Sequence, residues 1–353
     1  MRQTILRVTA IQDLLSGNKF CRISVISLSM WATATSCLAQ QSHLPQYDPE
    51  RQVTGVIRVW GGSRLTDLLR TWEAGFKAIQ PGVSFNNGLE GDDSALGGVY
   101  TGAANLALMD REPEMIEADG FEQAMGHKAL GVKVSVGSLG SPDPSRPLAV
   151  FVHAGNPLTK LSLMQLEAIF SAFPRNGLRP ITTWGGLGVE GPLGSHPIHL
   201  YGFGINSSEA HVFERLVFGG KQRWNCTLRG FYGDGKDETA SAQTAAALVE
   251  DPDGIAISAL GTSIASIHTV RIGGSGGGDY AISDEAKLRS GQYPFIHPVY
   301  FYLNRKPGAG IDPLLKEFLG FVLSREGQSL IGTQTSYLPL PEYLAKKSAE
   351  DIR

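Results

Sequence analysis

The feature that most constrains this chain is an alternation. Short runs of β-branched and aromatic residues end in Gly/Ser turns. Each is followed by a stretch whose apolar residues recur at steps of three and four. Residues 53–60 (VTGVIRVW) read as a strand, and Gly61-Gly62-Ser63 turns it. A helix follows with Leu65, Leu68, Leu69, Trp72, Phe76 and Ile79 on one face, and Pro81-Gly82 stops it. Residues 83–85 open a second strand, Gly91-Asp92-Asp93-Ser94 turns into a short helix, and residues 106–109 form a third strand that runs into Asp110-Arg111-Glu112-Pro113. Strand, turn, helix, strand is the signature of an α/β fold with mainly parallel sheets and helices on their faces.

The theme continues. Residues 148–152 (LAVFV) read as a buried strand, and Ser162 with Gln165 forms a capping box for a helix carrying Leu166, Ile169 and Phe170. Residues 198–201 form a strand, and Asn206-Ser207-Ser208 can cap a helix carrying Val212, Phe213, Leu216 and Val217. A helix of small residues over 240–249 ends at Asp251-Pro252-Asp253-Gly254, before a strand at 255–258. Residues 299–303 (VYFYL) are another buried strand, ahead of a helix carrying Ile311, Leu314, Leu315, Phe318, Leu319, Val322 and Leu323. With 353 residues, two domains are expected.

The first 39 residues differ. A basic start (Arg2, Arg7, Lys19, Arg22) precedes a short apolar stretch at 23–34 and the small residues Ser36, Cys37 and Ala39. This order predicts a secretory signal peptide, too short in its apolar core to anchor. Cleavage after Ala39 and lipidation at Cys37 are the two readings of its end. Residues 40–52, polar and with Pro45 and Pro49, are expected as a leader linker. Without the leader, the net charge moves from −3 to about −6, which argues against nucleic acid and anionic membrane surfaces as partners. Cys226 is then the one cysteine left, which excludes an intrachain disulfide and reads as a small buried hydrophobe.

These pieces, in this order and spacing, resemble the phosphate-type periplasmic solute-binding proteins of ABC transporters. The resemblance spans about residues 53–341. It is carried by LAVFVHAGNP at 148–157, Leu166 to Phe170 ahead of Ile181-Thr182-Thr183-Trp184, Asp253 to Ala256, Tyr293-Pro294 with HPVYFY at 297–302, FLGFVLSREG at 318–327, and the closing Tyr337-Leu338-Pro339-Leu340-Pro341. It implies a two-lobed α/β fold with each lobe a mainly parallel sheet flanked by helices. Two crossover strands near 148–152 and 299–303 would be the hinge. Lobe 1 would be 53–150 plus 300–353, and lobe 2 would be 151–299. It also implies a non-catalytic, periplasmic or extracellular receptor, expected as a monomer without cofactor or metal. Such a receptor takes inorganic phosphate or another small oxyanion and delivers it to an ABC permease in the inner membrane.

An anion held between lobes needs donors, and helix N-termini supply them through orphan N–H groups and the positive end of the dipole. Three turns open helices: Gly61-Gly62-Ser63-Arg64, Gly91-Asp92-Asp93-Ser94 and Asn206-Ser207-Ser208. The resemblance puts ligand contacts at Gly62, Ser63, Arg64, Asp92, Asp93, Ser94, Asn206, Ser207 and Ser208, and at Asp110 and Arg111 after the third strand. The alternative is that the serines are plain caps and that Asp110 and Arg111 make a surface ion pair. The third loop departs from the family, with Phe203, Ile205 and Glu209 where an arginine, an aspartate and a hydroxyl are usual. Arg64 or Arg111 could replace that arginine, since a guanidinium fork pairs with oxyanions. Asp92, Asp93 and Glu209 instead favour a fold-retaining structural or sensory protein with a degenerate site. Gly273 to Gly277 matches a nucleophile elbow only formally and reads as a flexible loop. His196 and His199 flank Pro197 with no third ligand near in sequence, which argues against a metal.

Overall fold

Two sheets carry the molecule; the strand Val299–Leu303 in the first, and the strand Leu148–His153 with the short edge strand Asp279–Tyr280 in the second, run against the parallel grain. The computed structural model describes residues 44–139, 146–175, 177–221, 223–233, 239–260, 265–273, 279–280 and 285–353. The expected signal peptide and most of the Gly273–Gly277 loop lie outside these residues. The first sheet has the order β2-β1-β3-β13-β4, from β1 (Gly55–Gly61), β2 (Val83–Gly88), β3 (Leu106–Met109), β4 (Leu130–Ser135) and β13 (Val299–Leu303). β1 is parallel to β2 and β3, while β13 is antiparallel to both β3 and β4.

The second sheet has the order β12-β11-β6-β10-β8-β9, with β7 off the path. Its strands are β6 (Leu148–His153), β7 (Lys160–Ser162), β8 (His199–Phe203), β9 (Arg229–Phe231), β10 (Gly254–Ala259), β11 (Ile267–Gly273) and β12 (Asp279–Tyr280). β8 is parallel to β9 and β10, and β6 is antiparallel to β10 and β11. A strand reached through a helical crossover returns parallel to its predecessor. β6 and β13 are instead the strands that arrive from the other sheet, and both enter reversed. β3, β6 and β10 are continuous apolar runs because both of their faces are covered.

The helices follow from their periodicity. α1 (Thr66–Ile79) buries Leu68, Leu69, Trp72 and Phe76, with Ile79 at its exposed end. α2 (Ala95–Tyr100) and α3 (Met115–Met125) cover the other face of the first sheet, where Ala95, Leu96, Val99 and Phe121 meet Ala107 and Tyr302. α4 (Leu163–Phe170) starts on the capping box the sequence announces, Gln165 N donating to Ser162 Oγ at 3.1 Å and Ser162 N to Gln165 Oε1 at 2.9 Å. α5 (Ser208–Phe213) runs on through a π-turn at Glu214–Phe218, and α6 (Ala240–Val249) packs on β10 and β8. α7 (Glu285–Arg289) precedes the second passage between sheets, and α8 (Pro313–Leu323), α9 (Arg325–Gln334) and α10 (Glu342–Asp351) close the first half. Two aromatic groups centre the core. Phe76 meets Phe318 at 5.3 Å between ring centroids, and Phe213 stacks on Phe295 at 5.7 Å.

The passages between sheets touch each other. A Cβ at Gly137 would lie 2.9 Å from the His297 carbonyl oxygen, and Gly137 has φ +138°, so the position requires glycine on both counts. β5 (Gly137–Ser138) pairs there with β14 (Tyr337–Leu338), which fastens the C-terminal tail to the first passage.

Residues 44–52, expected as a linker, are not a free tether. Leu44 is in the core, Tyr47 N donates to Glu326 at 2.8 Å, and Tyr47 Oη donates to Glu317 at 2.7 Å. Buried Gln80 holds the strap from inside, accepting from Val53 N at 3.0 Å and donating to the Arg51 carbonyl at 2.9 Å. Cys226 is exposed rather than buried, because it lies in the turn ahead of the edge strand β9. Among the described residues no helix is long and apolar enough to cross a membrane.

Gln80→Ala strips the buried Val53 N–H of its partner, a cost of about 1–3 kcal/mol, and also frees the partly buried Arg51 carbonyl. A lowered Tm and faster proteolysis within residues 44–53 are expected; an unchanged cleavage pattern would show that the strap is held without Gln80.

Candidate functional site

Because β1 lies between β2 and β3 and all three are parallel, the turns after them open at one edge of the sheet, where α/β proteins place their ligands. Gly91 N donates to the Gly61 carbonyl at 3.0 Å, which joins the first two turns directly. Each of these turns begins with one tight 3-10 turn, Ser63–Leu65 and Asp92–Ser94, before its α-helix.

Arg64, Asp92 and Asp110 meet at this edge. Arg64 Nε donates to Asp110 Oδ2 at 2.6 Å, and Nη2 is shared between Asp92 Oδ2 and Asp110 Oδ1. The side chains are 16%, 4% and 2% exposed, so this is a buried cluster rather than a surface pair. Burial would lower the pKa of Arg64, but the two carboxylates more than offset it and the guanidinium stays charged. Asp92 titrates above the ordinary carboxylate range, first because it is buried and then because Asp110 repels its charge, with Arg64 opposing both. Its Oδ1 is buried without a hydrogen-bond partner. Arg64 Nη1 has no partner among the described residues. A Cβ at Gly62 would sit 2.6 Å from Asp92 Oδ1 and 3.0 Å from Arg64 Nη1, so glycine keeps a donor and an acceptor side by side.

Asp110 and Arg111 are not ion-paired to each other, as the alternative reading had them; the carboxylate turns to Arg64 and the guanidinium turns away. Arg111, also buried, is held bidentately by Glu117 at 2.6 and 2.8 Å, and it reaches the exposed Asp93 at 3.2 Å. Ser63 and Ser94 are exposed, and neither caps a helix; Ser94 Oγ donates to the Gly91 carbonyl at 3.2 Å. Ser207 is a cap, accepting from Ala210 N at 3.1 Å, while Asn206 is exposed and Ser208 is the first residue of α5. Phe203 and Glu209 are buried and Ile205 is exposed. The structure therefore gathers Gly62, Arg64, Asp92 and Asp110 into one cluster, sets Asp93 and Arg111 beside it, and leaves Ser63, Ser94, Asn206, Ser207 and Ser208 at their own turns. His196 and His199 do not converge, since each pairs with its own carboxylate, Asp253 at 2.9 Å and Asp251 at 2.7 Å.

Several residues escaped the sequence reading. α5 of the second sheet meets the segment after Arg111. His211 pairs with Glu114, and Arg215 Nη1 donates to the Glu112 carbonyl at 3.1 Å. Tyr337 Oη donates to the Arg64 carbonyl at 3.4 Å, tying the tail to the cluster. His297 is buried with Nε2 unpartnered. Burial pulls its pKa from the ordinary 6.5 down to about 4, against the attraction of Asp110 and with the help of Arg64 and Arg215. The sequence did carry a signal for it: a lone histidine inside the apolar run YPFIHPVYFYL.

This is a solute-binding architecture, with two α/β halves and a polar cluster at the carboxyl ends of parallel strands. The chain belongs to the PBP superfamily, whose domain model matches residues 46–326, a family of binding proteins rather than enzymes. Phosphate-binding protein PstS of Pseudomonas aeruginosa is 29% identical over 321 residues, which cover 90% of this chain and 94% of that protein. A solved ABC-type phosphate transport receptor from Vibrio cholerae shares 16% identity over 80% of this chain and 99% of its own, with a TM-score of 0.53. PstS from Borrelia burgdorferi shares 13% identity over 81% and 98%, with a TM-score of 0.55. The two-lobed fold implied by the sequence is the one these structures share.

Two titrations test the electrostatics. Asp92 binds its proton more tightly folded than unfolded, so its ionisation costs stability as pH rises from its ordinary 3.8 through its folded value. Asp92→Asn, with Arg64 still paired to Asp110, is expected to raise Tm at neutral pH; a lower Tm there would mean that its ion pair outweighs its burial. His297 has the opposite sign. Its depressed folded pKa gives stability that is full above 6.5 and is lost as pH falls through about 4. The loss is on the order of 3 kcal/mol. His297→Gln is expected to flatten the fall in Tm over that window, and parallel melting profiles for both proteins would refute this.

Proposed function

We propose that the chain is an exported receptor that binds inorganic phosphate, or an oxyanion of the same shape carrying a proton, between its halves and passes it to an ABC permease. The halves are about 53–150 with 300–353, and 151–299. The passages beside Gly137 and His297 are where one rotates on the other, a few residues absorbing the motion while each half stays rigid. Export through the leader at 1–39, with either end-processing, and a monomeric state belong to the same reading. The relationship to PstS of Pseudomonas aeruginosa supports phosphate over other solutes.

One observation carries the choice of ligand. Arg64 Nη1 is a charged donor and Asp92 Oδ1 an unpaired acceptor among the described residues, and both lie within 3.0 Å of where a Gly62 Cβ would be, so no side chain stands between them. A partly protonated oxyanion satisfies both at once, with one oxygen accepting from Arg64 and its hydroxyl donating to Asp92. Sulfate has no proton to give near neutral pH and leaves a carboxylate facing an anion. Arg64 here stands in for the arginine missing from the third loop, supplied from the first half.

The surplus of carboxylates favours one other reading, a folded protein whose anion site is closed. Isothermal titration separates the two. Phosphate is expected to bind more tightly than sulfate or molybdate, Arg64→Ala to abolish binding, and Asp92→Asn to narrow the gap between phosphate and sulfate. A well-folded wild-type protein that gives no heat with any of the three would establish the closed-site reading instead.

A further inference from the structure

We infer that His211 and Arg215 are positioning residues that clasp the second half onto the loop carrying Asp110, and so set how long a captured guest is held. This rests on the reading above that the two halves move, and adds to it a closing contact away from the passages between them.

The clasp is built from both sides. His211 lies in α5, and Arg215 lies in the π-turn that continues it. Residues spaced like these lie near one face of a helix. His211 Nδ1 pairs with Glu114. Arg215 Nη1 donates to the Glu112 carbonyl at 3.1 Å, and its Nε lies 3.9 Å from the Glu112 carboxylate. The receiving loop is held stiffly. Glu117 accepts from Arg111 at 2.6 and 2.8 Å and from Glu114 N at 2.7 Å, so one carboxylate fixes both ends of the segment 111–114. Arg111 also donates to the Glu112 carbonyl at 3.3 Å, so that oxygen takes a guanidinium from each half. Tyr300 Oη, on the returning strand β13, stands 3.5 Å from the Glu112 carboxylate. The loop that starts at Asp110 therefore joins the buried cluster, the strand that enters from the other half and the clasp.

These contacts bias a movement without freezing it. The side chains of His211, Glu114 and Arg215 are 23%, 36% and 30% exposed and that of Glu112 is 56% exposed, so water can replace each partner when the halves part. Partly exposed pairs of this kind are individually weak. A small bias is nevertheless enough to change which of two arrangements prevails when their free energies are close. Arg64, Asp92 and Asp110 all come from one half, so that cluster cannot by itself draw the second half over a guest. α5 begins at the Asn206-Ser207-Ser208 turn, and it is the element that His211 and Arg215 bring to the loop after Asp110. No guest atom takes part in the clasp, so it forms with or without a guest and slows the release of one already inside.

The test uses the full exported chain. Small-angle X-ray scattering without ligand is expected to give a larger radius of gyration for the double variant His211→Ala, Arg215→Ala than for wild type, because its halves part more often. With inorganic phosphate bound, release of radiolabelled phosphate into an excess of unlabelled phosphate is expected to be on the order of tenfold faster in that variant, the combined effect of two weak contacts. His211→Arg keeps a cation opposite Glu114 and is expected to retain the wild-type radius and release rate, which lost packing alone would not give. Should the double variant fail to fold, Glu114→Gln removes the charge from the first half while its amide oxygen can still accept at the start of α3, and faster release remains the readout. Unchanged release from a folded variant overturns the inference and leaves the oxyanion reading intact. No heat with phosphate removes that reading, and the clasp is then judged by the radius alone, an unchanged radius overturning it.

Discussion

The chain has to pass between its sheets twice, and each passage delivers a strand that cannot arrive parallel. A helical crossover lets a strand rejoin its sheet in the same direction. β6 and β13 come from the other half, and each inserts antiparallel into an interior position. The rest of the architecture adapts to that. The passages must run close together, which demands glycine at 137, and the last short strand is spent on covering them. The two halves are joined at these passages and touch again where His211 and Arg215 meet Glu114 and Glu112.

The buried cluster is a consequence of strand order. Arg64, Asp92 and Asp110 are separated by 28 and 46 residues in pairs with the arginine, yet they become neighbours because β1 has β2 on one side and β3 on the other. The arrangement is expensive in electrostatic terms unless every lone pair finds a donor. Among the described residues three buried side-chain atoms lack a partner, Asp92 Oδ1, Asn156 Nδ2 and His297 Nε2. In a well-packed interior such orphans are rare, and the first belongs to a carboxylate that Arg64 holds.

Local structure was legible where periodicity and capping are local. The strands at 106–109 and 299–303, the helix at 240–249 and the capping box at Ser162 and Gln165 are found where the sequence put them. The candidate site was half legible. Gly62, Arg64, Asp92 and Asp110 could be chosen because each follows a strand end, but nothing in their spacing says that Arg64 is claimed by both aspartates while Arg111 is claimed by Glu117. Those pairings are decided by sheet order and side-chain burial. Serine at a helix start looks the same whether it binds a ligand or stands in water, and Ser63 and Ser94 are exposed. Cys226 was misjudged because composition alone cannot tell an interior strand from the stretch beside an edge.

The wiring of the first sheet has a further bearing on biogenesis. β13 separates β3 from β4, so a nascent chain that ends short of residue 303 has a gap in the middle of that sheet. The second sheet, by contrast, is drawn entirely from one continuous stretch and can assemble as soon as that stretch is available. Long-range pairing of this kind is slow to form. It leaves the N-terminal third without a finished core until the C-terminal third has been made. Until then the first sheet has no strand between β3 and β4 to hold its two parts together.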